Sequence, residues 1–249
     1  MDLGLEGRRA LVVAGSKGLG AGVVRGLARE GAVVAFTSRD PRAPGVEVSD
    51  VAAGFEFDTD DVDAIDPLVS RVEAAIGGID VLVLNAGGPA SHDHPFDTTV
   101  REWHRAHRSL VISPFETIRR VVPAMAERGW GRVVVISSLA AIQPLERMPL
   151  SSAYRPSMIA NVSLLARRYG VHGVTFNTVI PGGIRTGRST EGRSPEDIDE
   201  IVAHLPVHRM GTPDEVGAVV AFLASQQAAF VTGAQVTVDG GYTLHGGSA

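Results

Sequence analysis

Ala10-Leu11-Val12-Val13-Ala14-Gly15-Ser16-Lys17-Gly18-Leu19-Gly20 joins a short, wholly apolar run to a glycine-rich turn. The run Ala10–Val13 has no polar alternation, as expected of a strand covered on both faces. From Gly18 to Glu30 the apolar residues recur at helical spacing. Strand, glycine turn and helix in that order bring backbone N–H groups and the positive end of a helix to one point, which suits a pyrophosphate. The glycine spacing is not G-x-G-x-x-G, and a glycine-rich loop alone is a weak signal. Its position between the first strand and the first helix is what gives it weight.

Outward from this segment the pattern repeats. Strand-like runs lie at Ala10–Val13, Val33–Thr37, Phe55–Asp58, Val81–Leu84, Val133–Ser137, Thr175–Ile180 and Gln235–Val238. Helical patterns between them are clearest at Gly18–Glu30, Val100–Arg128, Ser151–Tyr169 and Pro213–Ser225. Continuous apolar strands alternating with helices predict an α/β fold, a doubly wound parallel sheet covered on both faces. No repeat, low-complexity tract or linker interrupts residues 1–249, so one domain is expected. The thinnest stretch is Arg39 to Gly54, where two prolines and weak periodicity predict a shortened or missing crossover helix.

Composition narrows the function. The chain has 249 residues, 44% of them hydrophobic and 20% charged, with a net charge of −5. It carries no polycationic footprint, so nucleic acid is not an expected partner. Without cysteine it forms no disulfide and has neither a thiolate nucleophile nor a cysteine-ligated metal. The opening Met1–Val13 does not read as a signal peptide, and no apolar run approaches the roughly 20 residues of a membrane span. A cytoplasmic enzyme acting on a small molecule is the expectation. Lys17 is the only lysine; every other basic residue is arginine.

The second strand ends in Thr37-Ser38-Arg39. NAD sites place an acid about 20 residues after the glycines, on the ribose 2′-hydroxyl, whereas NADP sites place arginine there. Ser38 can hydrogen-bond a 2′-phosphate, Arg39 can pair with it, and Lys17 adds a second cation. Asp40 comes too late in the chain to serve NAD. NADP(H) is the expected cofactor.

The chain resembles the short-chain dehydrogenase/reductase family along nearly its whole length, which implies a Rossmann fold. Ala14 through Gly20 (Ala14, Gly15, Ser16, Lys17, Gly18, Leu19, Gly20) resembles the family's TGxxxGxG loop, with Ala14 at its first glycine. Asn85-Ala86-Gly87 resembles NNAG, with Leu84 in place of the first asparagine. Ile136-Ser137-Ser138 resembles the end of the catalytic-serine strand, and Asn177 with Pro181-Gly182-Gly183-Ile184-Arg185-Thr186 resembles the loop that touches the nicotinamide. Arg209–Glu215, Thr232-Gly233 and Val238–Gly241 resemble the C-terminal signatures. The resemblance implies that Asp58 and Thr59, at the end of the third strand, lie against the adenine, and that Asn85, Ala86, Gly87, Pro181, Gly182, Ile184 and Thr186 line the cofactor. It also implies a homotetramer built on the long helices at Val100–Arg128 and Ser151–Tyr169.

The resemblance breaks at the chemistry. The family uses an asparagine, a serine, a tyrosine and a lysine. Here Ser138 keeps the serine position, Ser151 stands where the tyrosine belongs, Arg155 where the lysine belongs, and Leu110 at the asparagine. With Lys17 the sole lysine, no YxxxK exists. A branch of the family resembles this chain in its Asn85–Pro89, Gly129–Arg132 and Ser137–Leu139 runs and also lacks the dyad. A serine hydroxyl is a poor general acid beside a phenol of pKa about 10. Arg155 stays protonated and cannot relay protons, yet it can fork onto ribose hydroxyls or a carboxylate and favour a developing oxyanion. Tyr154 is the nearby phenol, and using it as the acid would require an insertion and a compensating deletion.

The expected function is therefore an NADPH-dependent reductase with non-standard proton delivery. Hydride addition to a conjugated double bond is attractive, because Ser138, Ser151 and Arg155 can hold the enolate while water supplies the proton. The alternatives are a non-redox isomerase, dehydratase or cyclase on the same scaffold, and a nucleotide-binding protein without turnover. His92 and His94 lack a clear third ligand, so no metal is expected. Glu146 and Arg147 precede Ser151 over the expected pocket, while Trp103 and Met125 read as core or interface.

Overall fold

A computed structural model of the chain describes residues 2–42 and 51–244. Most of the thin stretch after Arg39 therefore lies outside the described residues.

The strands are β1 (Arg9–Val13), β2 (Val33–Ser38), β3 (Ala53–Glu56), β4 (Val81–Leu84), β5 (Gly131–Ile136), β6 (Val174–Pro181) and β7 (Gln235–Val238). They form one parallel sheet in the order β3-β2-β1-β4-β5-β6-β7. Leu11 pairs with Ala35 on one side and Leu82 on the other. The chain winds outward from β1 to β3, then crosses back to lay β4 beside β1. The crevice above the carboxyl ends of β1 and β4 is a topological switch point, where such sheets bind ligands.

The helices are α1 (Gly18–Arg29), α2 (Ile65–Ile76), α3 (Val100–His107), α4 (Ser113–Glu127), α5 (Pro149–Tyr169), α6 (Gly187–Thr190), α7 (Pro195–Ala203) and α8 (Pro213–Ala224). Val23, Val24 and Leu27 of α1 and Val216, Val220 and Leu223 of α8 cover one face of the sheet. Val69 and Val72 of α2, Ile118 and Val122 of α4, and Met158 and Val162 of α5 cover the other. β4, β5 and β6 are buried along their whole length: β4 and Val133–Ile136 of β5 read as continuous apolar runs, whereas β6 also buries Thr175, Asn177 and Thr178. α1 and α8 meet backbone to backbone: a Cβ on Gly22 would lie 2.2 Å from the carbonyl oxygen of Pro213, and one on Gly217 would lie 2.1 Å from that of Gly22.

Two expectations are corrected. The helix expected over Val100–Arg128 is α3 and α4 joined by a π turn at Arg108–Ile112. Pro114 has no N–H to offer the carbonyl one turn back, so the hydrogen-bond ladder slips into a wider turn. The third strand is Ala53–Glu56 rather than Phe55–Asp58. Ser38, the last residue of β2, pairs with Glu56, so the ladder stops where β2 stops. Asp58 thus lies past the strand end, its carboxylate accepting from the N–H of Asp60 at 3.0 Å.

Candidate functional site

The loop from Ala14 to Gly20 crosses the carboxyl end of β1 and opens α1. A Cβ on Gly20 would lie 2.1 Å from the carbonyl oxygen of Ala14, so only glycine closes this turn. Lys17 precedes α1 without a side-chain cap, leaving the helix's first N–H groups directed at the crevice. Ala14 has φ of +53°, the left-handed region that glycine adopts freely. Its N–H donates to Thr37 Oγ1 at 3.1 Å and its carbonyl accepts from Asn85 Nδ2 at 3.0 Å. The loop is thus tied to β2 and to the end of β4. Gly20 lets the loop close on itself, and the bare backbone left at the head of α1 fits a pyrophosphate.

At the outer end of the cradle Ser16 Oγ and Ser38 Oγ lie 2.7 Å apart, and Lys17 and Arg39 are exposed on either side. Lys17 and Arg39 are the next residues in the chain after this pair of hydroxyls. At the inner end the loop after β6 comes round to meet the cradle: a Cβ on Gly18 would lie 3.7 Å from Thr186 Cγ2. Gly182 N–H donates to Val238 O at 3.0 Å, Ile184 is buried and bridges to Gly211, and Thr186 caps α6 through Ser189 N–H at 3.2 Å.

Ser151 and Arg155 sit one turn apart on the buried face of α5, over the end of β5. Arg155 Nη1 donates to Ile136 O at 3.2 Å. Among the described residues its Nε has no hydrogen-bond partner, and neither does the buried hydroxyl of Ser137. Burial pushes the Arg155 guanidinium down to about 10, and the charge of Arg188 adds to the effect, so Arg155 remains a cation at neutral pH. Ser138, just beyond β5, accepts from Ala140 N–H at 3.3 Å and caps a short 3-10 turn. A cavity of about 20 Å³ lies between these strand ends and α4, lined among others by Thr59, Asn85, Leu110, Ser113, Ser137 and Arg155.

Tyr154 is turned away from Ser151 and Arg155 toward α3. Its ring packs edge-on against Trp103 at 5.5 Å and at a tilt against His107 at 5.4 Å. Trp103 is therefore packed in a small satellite cluster, while Met125 belongs to the main core. At the rim, His92 Nε2 lies 3.2 Å from Glu102 Oε1, Arg147 pairs with Asp93 at 2.7 Å, and His94 Nδ1 accepts from Phe96 N–H at 3.1 Å. Asn177 is wholly buried and structural: it donates to Val231 O at 2.8 Å and accepts from Ala234 N–H at 3.0 Å.

Arg188 escapes sequence reading. It donates to Gly88 O at 2.6 Å and also to Pro89 O, closing a contact across a long stretch of chain that no local pattern announces.

Residues 13–243 match the family described as enoyl-(acyl carrier protein) reductase. The nodulation protein G of Azospirillum brasilense is 34% identical over 93% of this chain and 96% of its own length. An acetoacetyl-CoA reductase of Cupriavidus necator is 32% identical over 96% and 99%. A blue fluorescent protein from a metagenomic library, solved in complex with NADPH, superposes with a TM-score of 0.84 at 30% identity, covering 96% of this chain and 98% of its own. Fold, cradle and relatives agree: the chain belongs to the short-chain dehydrogenase/reductase family.

Proposed function

We propose that the chain is an NADP(H)-dependent reductase with an atypical active site, reducing a conjugated enone or a carbonyl of a small polar metabolite. The observation that carries the reading is the Ser16–Ser38 hydroxyl pair, each serine followed in the chain by an exposed cation, Lys17 and Arg39. The NADPH bound by the structural relative and the reductase activity of the relative from Cupriavidus support it. When bound, the nicotinamide supplies or accepts a hydride.

In this reading Ala14 to Gly20 hold the pyrophosphate, and Ser38, Arg39 and Lys17 the 2′-phosphate. Asp58 and Thr59 lie against the adenine. Asn85, Ala86, Gly87, Pro181, Gly182, Ile184 and Thr186 frame the reacting end. Arg155 holds ribose hydroxyls and, fixed by Ile136 O, sets a permanent positive charge beside the reacting centre. Ser138 and Ser151 share the developing oxyanion. A serine hydroxyl does not protonate it efficiently, so water does. A conjugated acceptor suits this division, because its enolate needs stabilisation first and a proton only afterwards. Assembly as a cytoplasmic homotetramer completes the proposal. The exposed Phe115 and Leu164 of α4 and α5 favour such assembly, and among the described residues no helix is long and apolar enough to cross a membrane.

The test is incubation with NADPH and a panel of ketones and conjugated enones, followed by product analysis. The expected result is saturated product from an enone and slow turnover of simple ketones. Absence of any redox product, with NADPH still bound, would favour an isomerase, dehydratase or cyclase, or binding without turnover.

A further inference from the structure

We infer that Arg188 is a latch that gates passage of the dinucleotide into and out of its crevice, an inference that rests on reading the Ala14–Gly20 cradle as the cofactor site. Residues 182–192 leave β6 and cross the crevice as a strap. Its root is pinned: Arg185 N–H donates to Gly211 O at 2.8 Å, Gly211 N–H donates to Gly183 O at 3.0 Å, and Ile184 is buried. Beyond the root the strap passes the head of α1, where a Cβ on Gly18 would lie 3.7 Å from Thr186 Cγ2. It then meets the loop after β4, where Arg188 donates to Gly88 O at 2.6 Å and also to Pro89 O. The strap thus joins the loop after β1 to the loop after β4, the two edges of the switch point. A ligand reaches this crevice, or leaves it, past the strap.

Little besides this contact holds the tip of the strap. α6 buries no side chain, and its capping box joins Thr186 to Ser189 within the strap itself. Among the described residues, the hydrogen bonds that fasten the tip to the opposite wall are those of Arg188. A segment with so few buried contacts opens at low cost. Arg188 is exposed, so water can take the place of both carbonyls when the strap lifts. Glycines stand at both ends, Gly183 with φ of +62° and Gly192 with φ of +74°, and such residues take up the rotation of a hinge freely. The opposite wall admits the guanidinium closely: a Cβ on Gly88 would lie 3.1 Å from Arg188 Nη2. The latch consists of one side chain and two backbone carbonyls, none of them a group that holds the cofactor in this reading. Breaking it should therefore ease entry and exit alike.

The test is stopped-flow fluorescence of NADPH binding to the full chain, with displacement by excess NADP+, which reads both rates. Arg188→Met keeps an unbranched stem and removes the donors; Arg188→Lys keeps the charge, which separates the latch from electrostatic steering of the anionic cofactor. In Arg188→Met, association and dissociation should both rise by on the order of tenfold, leaving Kd within about threefold of native. In Arg188→Lys both rates should fall between native and Arg188→Met. Amide hydrogen exchange over residues 185–191 should quicken in Arg188→Met before NADPH is added, a change that loss of a cofactor contact would not produce. Unchanged rates in Arg188→Met would overturn the inference. So would faster dissociation alone, with Kd weakened in proportion, since that makes Arg188 a cofactor ligand rather than a gate. If NADPH binds neither the native chain nor the variants, the cofactor reading falls and the gate with it. If NADPH binds and the two rates do not rise together, the gate alone falls.

Discussion

At position 155 the proposed site holds a buried guanidinium, and burial decides what that group can do. Held at about 10, Arg155 keeps its proton across the physiological range and acts only as a fixed charge. Ser138→Ala or Ser151→Ala should lower turnover by about 10- to 1,000-fold, the upper end matching loss of a full oxyanion donor. Steady-state kinetics on the enone substrate measures this, and an unchanged kcat would remove that serine from the oxyanion site. Arg39→Ala should erase most of a preference for NADPH over NADH that is on the order of tenfold in the native chain, read by titrating both cofactors. Ala14 carries a different cost. An alanine at φ of +53° is strained by about 1 kcal/mol, so Ala14→Gly should raise Tm by roughly 2–4 °C in thermal unfolding. The sequence marked this residue as the odd member of the loop, but its dihedral angle had to be seen.

Among the elements, α8 shows how a local motif anchors a distant surface. Thr212 and Glu215 form a capping box at its N-terminus, and Arg209 donates to both carboxylate oxygens of Glu215. Arg209 first, then the Thr212 N–H, pull the Glu215 carboxyl down from 4.5 to about 2. A depressed carboxylate contributes fully above its unfolded pKa and loses that contribution as pH falls through the folded one. The Tm advantage of the native chain over Glu215→Gln should therefore be present at neutral pH and disappear between pH 4.5 and about 2. It should be modest, below about 1 kcal/mol, because the pair is solvent-exposed. A constant offset across that range would show that the ion pair contributes nothing. β4 was legible to the residue and β1 to within one residue, because burial on both faces leaves a continuous apolar run; β7, an edge strand of alternating exposure, was legible from its β-branched alternation. The π turn at Arg108–Ile112 and the early end of β3 were not. One is a slip of the hydrogen-bond ladder caused by Pro114, the other a limit set by the partner strand, and hydrophobic periodicity reports neither.

For the whole molecule, the strand order places the two halves of the site on loops far apart in sequence, and only the assembled sheet brings them together. Gly18 meets Thr186, Arg155 reaches Ile136, and Arg188 reaches Gly88. Cofactor motifs survive in the sequence because each is a contiguous loop. The Arg188 contact does not show there, because it joins separate loops. Sedimentation at micromolar concentration should find a tetramer, and a monomer would contradict the assembly expected from α4 and α5. The central claim is that this chain reduces its substrate without the family's phenol and amine, and Tyr154 offers the sharpest challenge to it. With its ring packed on Trp103 and His107, Tyr154 should be dispensable for chemistry. The direct measurement is the rate of NADPH-dependent enone reduction by Tyr154→Phe beside the native chain. A rate within about threefold of native supports a site that works by fixed charge, serine hydroxyls and water. Loss of nearly all activity with the fold intact would make Tyr154 the acid and contradict the account.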